Sequence, residues 1–257
     1  MLSNNDIKIL TSLQKKKYRN FYQSFLIEGE KLIKDAIEEN FPLKKIIICP
    51  EYTSPTLHTV IEIAANNNIP IYETSEKQIK KISYVKTPQP VIAVGEIASH
   101  EKNIELFIKE WDKILVLDQI QDPGNLGTLI RTADWFGISG IVLSEGNVDI
   151  YNPKVVRGSM GSMFRVPIIS DINLIEMLPV FRESQITILA ADATGTPINR
   201  QFPKPDKWAL ILGNEGQGLS DGLPEIADQI ISIPGNTKAD SLNVGISGAI
   251  IIYQLTV

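Results

Sequence analysis

One cysteine, Cys49, occurs in the 257 residues, so no internal disulfide is possible. It closes the run Ile46-Ile47-Ile48-Cys49, where a packing thiol is expected rather than a reactive one. Histidine is almost as scarce: His58 and His100 are the only two, and with Cys49 they are too scattered to assemble a zinc site. No apolar run reaches the ~20 residues that a membrane span requires. The first residues, MLSNNDIKILTSLQKKK, have no apolar core followed by a small-residue cleavage site and do not read as a secretory signal. A cytoplasmic protein without metal or membrane attachment is the default expectation.

Net charge is also small, −5, which argues mildly against a nucleic-acid partner. Its distribution matters more than its sum. Residues 1–99 hold 13 Lys/Arg against 11 Asp/Glu, whereas residues 100–257 hold 12 against 19. The basic excess is concentrated in Lys15–Arg19, KKKYR, either a solvated helix end or part of a cationic face.

What is present is an ordinary globular composition, 43% hydrophobic and 21% charged. Residues 4–23 predict an amphipathic helix or helix–loop with a cationic polar side. A short strand, a turn at Gly29, and a helix carrying Leu32, Ile33, Ala36 and Ile37 follow. Lys45–Cys49 is a continuous apolar run, expected of a strand covered on both faces. With a helix over 56–66 and strands at 69–72 and 91–96, residues 1–97 form a small alternating α/β unit. The polar stretch 98–109 is the expected linker. Residues 110–257 alternate again: strands at 114–117, 140–143, 166–168, 187–191, 208–212 and 229–233, with helices between them. That order implies an α/β domain built on a parallel sheet with helices on both faces.

Ligands of such sheets bind beyond the carboxyl ends of strands, and three unusual stretches lie there. In DPGNLGTLIRTADWFG (Asp122–Gly137), Asn125 is placed to cap a helix. Arg131 stands in an otherwise apolar or small-sided segment, as a functional cation or on a solvated face. LILGNEGQGLS (Leu210–Ser220) resembles a phosphate loop only superficially, because it lacks the Lys-Ser/Thr pair. Gly213, Gly216 and Gly218 let backbone pass close to a ligand, and Glu215 among them suits a cationic or neutral hydrogen-bonding partner better than an anion. In SLNVGISGAIIIYQLTV (Ser241–Val257), Asp240 or Ser241 can cap the last helix and Asn243 offers a donor and an acceptor in its first turn. Gly245, Ser247, Gly248 and Ala249 keep that helix thin, while Ile250, Ile251 and Ile252 cover nearly its whole circumference. Such a helix is threaded through the fold, buried between subunits, or both.

Together these stretches resemble the three motifs of the SpoU (TrmH-type) RNA ribose 2′-O-methyltransferases, in the family's order and spacing. SLQKKKYR and FLIEGEKLIKDAI are similar to the ribosomal-protein-like substrate-binding domain that precedes the catalytic domain in many members. The resemblance implies an RNA substrate-binding domain over 1–97 and, over 110–257, a SPOUT α/β domain with a deep C-terminal trefoil knot, a topology almost absent elsewhere. It implies S-adenosyl-L-methionine as cofactor and a homodimer whose sites are completed across the interface. Carried over by motif position, Leu212, Gly213, Gly216, Ile233, Pro234 and Leu242 would meet the cofactor, chiefly through backbone groups. Asn125, Arg131, Glu215, Ser241 and Asn243 match the polar catalytic positions. Arg131 is the residue usually assigned as base, although an arginine is a poor one and can instead grip a phosphate and stabilise the developing alkoxide. Gly235 and Thr237 depart from the common methionine and glycine of the cofactor loop. A separate front domain favours ribosomal RNA over transfer RNA as substrate. The competing readings are a noncatalytic RNA-binding protein of the same fold and a small-molecule α/β enzyme.

Overall fold

A computed structural model describes residues 2–97, 110–235 and 242–257. The expected linker 98–109, Thr237, and the candidate residues Asp240 and Ser241 lie outside them. The chain forms two compact units, Met1–Ser99 with Asp149–Phe164, and His100–Val148 with Arg165–Val257.

The first unit is built on a four-stranded sheet in the order β1 (Ser24–Glu28), β4 (Val91–Glu96), β2 (Leu43–Ile48), β3 (Ile71–Glu73). β4 runs antiparallel to both neighbours, and β2 and β3 are parallel. The front segment is two helices, Asn4–Ser12 and Lys16–Tyr22. Cys49 is buried, and its Sγ–H donates to Glu51 Oε2 at 2.7 Å.

The basic run does not keep all its cations at the surface. Arg19 is 3% exposed. Its Nη1 donates to the Leu13 and Gln14 carbonyls at 3.0 Å each, and its Nε donates to Asp149 at 2.9 Å. A lone charge there would be costly, and each of the three guanidinium nitrogens donates to an oxygen, Nη2 also to Asp149. Asp149 opens the segment Asp149–Phe164, which chain continuity assigns to the second half but whose side chains fill the first unit. Tyr151 packs on Phe25 with ring centroids 4.6 Å apart, and Phe164 packs on Phe41 at 4.9 Å. Burial, and then the charge of Asp149, pushes the Tyr151 hydroxyl up to about 12. The expected single helix of this segment is two short pieces, Pro153–Gly158 and a 3₁₀ turn Ser162–Phe164. Gly161 breaks them at φ +90°, where a side chain would be strained.

The second unit is a six-stranded sheet in the order β10 (Gln229–Ser232), β8 (Thr187–Pro197), β9 (Trp208–Leu212), β5 (Lys113–Leu117), β6 (Gly140–Ser144), β7 (Ile168–Ile172). Every pairing is parallel. β6 and β9 are buried along their whole length, as apolar runs in a sheet covered on both faces must be.

Two strands of this sheet differ by more than one residue from the sequence expectation, as does β3 of the first unit, Ile71–Glu73 where 69–72 was expected. β7 begins at Ile168, where 166–168 was expected, because Ile168 and Ile169 are the residues that pair with β6. β8 continues six residues past Ala191. Its neighbour β10 holds it in two registers: Gln229 and Ile230 face Leu189 and Ala190, while Ile231 and Ser232 face Thr196 and Pro197. Residues 191–195 of β8 make up the irregularity between the two registers, and Ser232 Oγ donates to the Gly195 carbonyl at 2.7 Å. A Cβ on Gly195 would stand 2.6 Å from Ile230 backbone, so only glycine permits this approach.

The closing helix, Val244–Thr256, packs on the helix Pro123–Trp135. A Cβ on Gly248 would lie 2.5 Å from Leu129 Cδ2 and 2.7 Å from Leu212 Cδ1, which shows how thin this face is. The helix is two-faced rather than buried all round. Gly248, Ile251, Ile252 and Leu255 face the fold, while Ile246, Ile250, Tyr253 and Val257 are exposed. Among the described residues no helix is long and apolar enough to cross a membrane.

Candidate active site

Three of the polar residues singled out in the sequence meet at the carboxyl ends of β5 and β9. Asn125 Nδ2 donates to Glu215 Oε1 at 2.8 Å, and Asn243 Nδ2 donates to Asn125 Oδ1 at 2.8 Å. Asn243 Oδ1 accepts from the Gly245 and Ile246 amides at 3.0 and 3.3 Å. The closing helix is therefore capped by Asn243 itself, which stands at the N-cap rather than in the first turn. Asn125 likewise does not cap its helix. Asp122 does, accepting from the Gly124 and Asn125 amides at 2.8 and 2.9 Å. Pro123 takes the first helical position, where no amide is needed, and this moves the start of the helix three residues earlier. Freed from capping, the Asn125 side chain bridges the other two.

The glycine-rich loop after β9 is shaped by a residue that sequence reasoning passed over. Asn214 Oδ1 accepts from the Gly216 and Gln217 amides at 2.9 and 3.0 Å, and its Nδ2 donates to the Gln119 carbonyl at 2.8 Å. Its own amide and carbonyl pair with Gly218. An asparagine between glycines is a turn signal, so this role was legible as a turn although not as an anchor. Asp118, 2% exposed at the end of β5, accepts from the Ser220 amide at 2.8 Å and donates its own amide to the Leu212 carbonyl at 2.9 Å. The loop is thus tied at both ends, and Glu215 is held at its tip.

Arg131 stands apart from this chain. It is exposed and has no hydrogen-bond or ion-pair partner among the described residues. The Pro123–Trp135 helix presents Thr128 and Leu129 to the closing helix. At 3.6 residues per turn, Arg131 is rotated roughly 200° from Leu129. It shares its face with Trp135, which is 80% exposed. Solvent exposure was one of the two readings of Arg131, and the side chain is free to meet a ligand or a partner.

The proposed cofactor positions differ in what they can offer. The Leu212 side chain is 1% exposed and packed beneath Gly248, so only its backbone can face a ligand. Ile233 is half-buried, whereas Pro234 and Leu242 are exposed. Among the described residues nothing lies within 4 Å of the position a Cβ would take on Gly235. The described residues beyond β9 and β10 thus offer backbone groups and apolar walls, a set that fits an adenosine with a short aliphatic tail better than a phosphate. Gly216 is exposed and its amide is already bonded to Asn214, so the loop-turn role is the one its geometry carries.

Known proteins share both parts of this arrangement. Residues 112–253 match the SpoU rRNA Methylase family, and residues 4–93 match the MRM3-like substrate binding domain. The chain is 32% identical over 253 residues to the 23S rRNA (guanosine(2553)-2′-O)-methyltransferase RlmP of Bacillus subtilis, covering 98% of this chain and 96% of that one. Its fold matches an AdoMet-bound rRNA methyltransferase from Sinorhizobium meliloti with a TM-score of 0.87, at 31% identity, over 99% of this chain and 95% of that one. A solved RNA 2′-O ribose methyltransferase matches with a TM-score of 0.81, at 28% identity, over 98% and 95%.

Proposed function

The chain belongs to the SpoU rRNA methylase family, and on that premise we propose that it transfers a methyl group from S-adenosylmethionine to a ribose 2′-hydroxyl of large-subunit ribosomal RNA. The observation that carries this reading is likeness along the whole chain, front unit included, to a 23S rRNA 2′-O-methyltransferase. A noncatalytic protein of the same fold would have no reason to keep the Asn243–Asn125–Glu215 chain intact. The test is direct. The purified protein, given S-adenosylmethionine and ribosomal RNA from a strain lacking the gene, is expected to restore one 2′-O-methyl mark in the large-subunit RNA. Restoration of a transfer RNA mark alone, or no cofactor binding by calorimetry, would reject it.

When bound, S-adenosylmethionine supplies an electrophilic methyl group. Backbone groups of Leu212, Gly213 and Ile233, with Pro234, Leu242 and Gly216 beside them, would hold it. Asn125, Glu215 and Asn243 act as one unit that positions the incoming ribose. Methyl transfer needs little covalent help but strict alignment, and a hydrogen-bonded chain anchored on a helix cap provides a rigid reference. Glu215 has a second oxygen without a partner among the described residues, and this oxygen can accept from a ribose or base donor. Ser241 joins the polar set by motif position alone.

Asn243 separates positioning from stability. Asn243→Ala removes both the cap and the donor to Asn125, so it is expected to cost about 1 kcal/mol in unfolding free energy and about 10²-fold in turnover. Asn243→Asp keeps the capping oxygen and loses only the donor, so turnover should fall as far while the unfolding midpoint holds. An aspartate variant with wild-type turnover would remove Asn243 from the site.

The protein acts as a cytoplasmic homodimer in this reading. The exposed stripe Ile246, Ile250, Tyr253 and Val257 is the contiguous apolar surface that a soluble monomer seldom presents. Phe136 extends it, with its ring 6.2 Å from that of Tyr253. A partner that also covers Trp135 would reach Arg131, four residues earlier on the same helical face, and place it at the partner's site. The knotted topology of the closing segment is what the family resemblance implies.

A further inference from the structure

The first unit contains a pocket that the methyl-transfer reading leaves unused. It has a volume of about 390 Å³. Leu26 of β1, and Pro153 and Val156 of the short helix Pro153–Gly158, give it an apolar floor, with Val85 beside them. Its rim carries Tyr84, Lys86 and Arg157, all exposed. Lys86 and Arg157 make no ion pair among the described residues.

The remaining acid of the pocket is already committed. Glu28 Oε2 accepts from Ser83 Oγ at 2.7 Å, and Oε1 accepts from the Tyr84 amide at 2.7 Å. Gln89 Oε1 in turn accepts from the Glu30 amide at 3.2 Å. These bonds hold the loop 83–89 against β1 and present Tyr84 and Lys86 at the rim. The short helix on the other side is held by the buried Val155 and Val156.

An apolar floor, an exposed aromatic ring and two unpaired cations are the parts needed for a base and its phosphate. Bases stack on aromatic faces, and cations take the backbone. The volume lies near the lower end of the range for ligand pockets, about 300–1,000 Å³, and suits one nucleotide, not a duplex. Single-stranded RNA offers such splayed nucleotides, whereas a helix does not.

We propose that this pocket binds one unpaired nucleotide of the RNA substrate, its base against Tyr84 and the Leu26–Val85–Val156 floor and its phosphate between Lys86 and Arg157. The proposal rests on the RNA-methyltransferase reading and assigns it a docking site in the first unit, separate from the residues that position the reacting ribose. It also gives the inserted segment Asp149–Phe164 a function, since Arg157 reaches the RNA only because that segment packs into the first unit.

The test uses the full-length protein in two arms. Methylation of large-subunit RNA by the wild-type protein tests the enzyme reading by itself. The pocket is tested by Tyr84→Ala, Tyr84→Phe and the double variant Lys86→Ala/Arg157→Ala, each first shown by calorimetry to bind S-adenosylmethionine normally. These side chains are exposed, so the fold should survive. The double variant is expected to raise KM for RNA at least tenfold with kcat unchanged. Its binding to a short single-stranded oligoribonucleotide should show a log–log salt slope smaller by about 0.7, the share of one phosphate contact. Tyr84→Ala should weaken binding about tenfold and Tyr84→Phe should restore it, because the ring and not the hydroxyl stacks. Wild-type KM and salt slope in the double variant, equal binding of a duplex made from the same strand, or a Tyr84→Phe variant as weak as Tyr84→Ala would overturn the proposal. If wild-type protein methylates RNA while the variants are unaffected, the pocket assignment fails and the enzyme reading stands.

Discussion

Arg131→Ala is expected to lower turnover by about 10²–10³-fold, the loss typical of removing one donor to a developing oxyanion. The side chain is exposed and has no ion-pair partner among the described residues, so its removal should leave stability within about 0.5 kcal/mol of wild type. Its guanidinium has five donors in a planar fork and no acceptor. Those properties suit a grip on the adjacent phosphate and on the oxygen that loses its proton, not proton abstraction. Arg131→Lys keeps the charge and loses the fork, so it should recover only part of the loss. Because Arg131 is turned away from Leu129, which packs on the closing helix, and shares its face with the exposed Trp135, it is expected to serve the partner's site. Mixing the Arg131→Ala protein with the Asn243→Ala protein tests that geometry. Each is nearly inactive alone, but a mixed dimer contains one site with both side chains intact. Random exchange should restore about a quarter of wild-type activity. A mixture no better than its parts would place Arg131 in its own protomer's site, and near-normal turnover by Arg131→Ala would leave it no role in the reaction.

Gly213→Ala should be the most damaging single-methyl change in the site. The added Cβ would lie 2.4 Å from the Gly218 carbonyl oxygen and 2.6 Å from the Leu219 nitrogen. Both are backbone atoms fixed by the Asn214–Gly218 pairing, so the collision cannot be relieved by rotating a side chain. Overpacking of this kind costs about 1–3 kcal/mol and shifts backbone, and here the backbone that shifts carries Glu215. Cofactor affinity and turnover should fall together with the unfolding midpoint. Gly216→Ala is the matched control. Its Cβ would approach nothing closer than Asn214 Oδ1 at 3.7 Å, so stability should hold. Equal unfolding midpoints for the two variants, measured in urea or by heating, would mean that the loop is not pinned as described.

These expectations show where the chain is legible without a fold. The alternation of apolar runs and helical periods was enough for two α/β parts and a parallel second sheet, because burial on both faces leaves a local mark in every strand. Asn125, Glu215 and Asn243 stood out singly, as polar side chains near glycine turns at strand ends, and only the family resemblance joined them, with Arg131 and Ser241, into a set. Local pattern did not reveal which residue caps which helix. Asp122, Asn125 and Asn243 are all competent caps, and the choice depends on which partner each meets across the fold.

Residues distant in sequence also decide the larger features. Asp149–Phe164 leaves its sequence neighbours because Arg19, Phe25 and Phe41 supply a charge partner and ring contacts that no periodicity within the segment encodes. β8 runs past Ala191 because β10 takes it up again in a second register. The sequence by itself determined the kinds of elements, their two-part order and which polar residues stand near the strand ends. The tertiary structure alone decided which side chains touch, which cations remain free, and which face of the closing helix is left uncovered, since those depend on contacts between residues far apart in the chain.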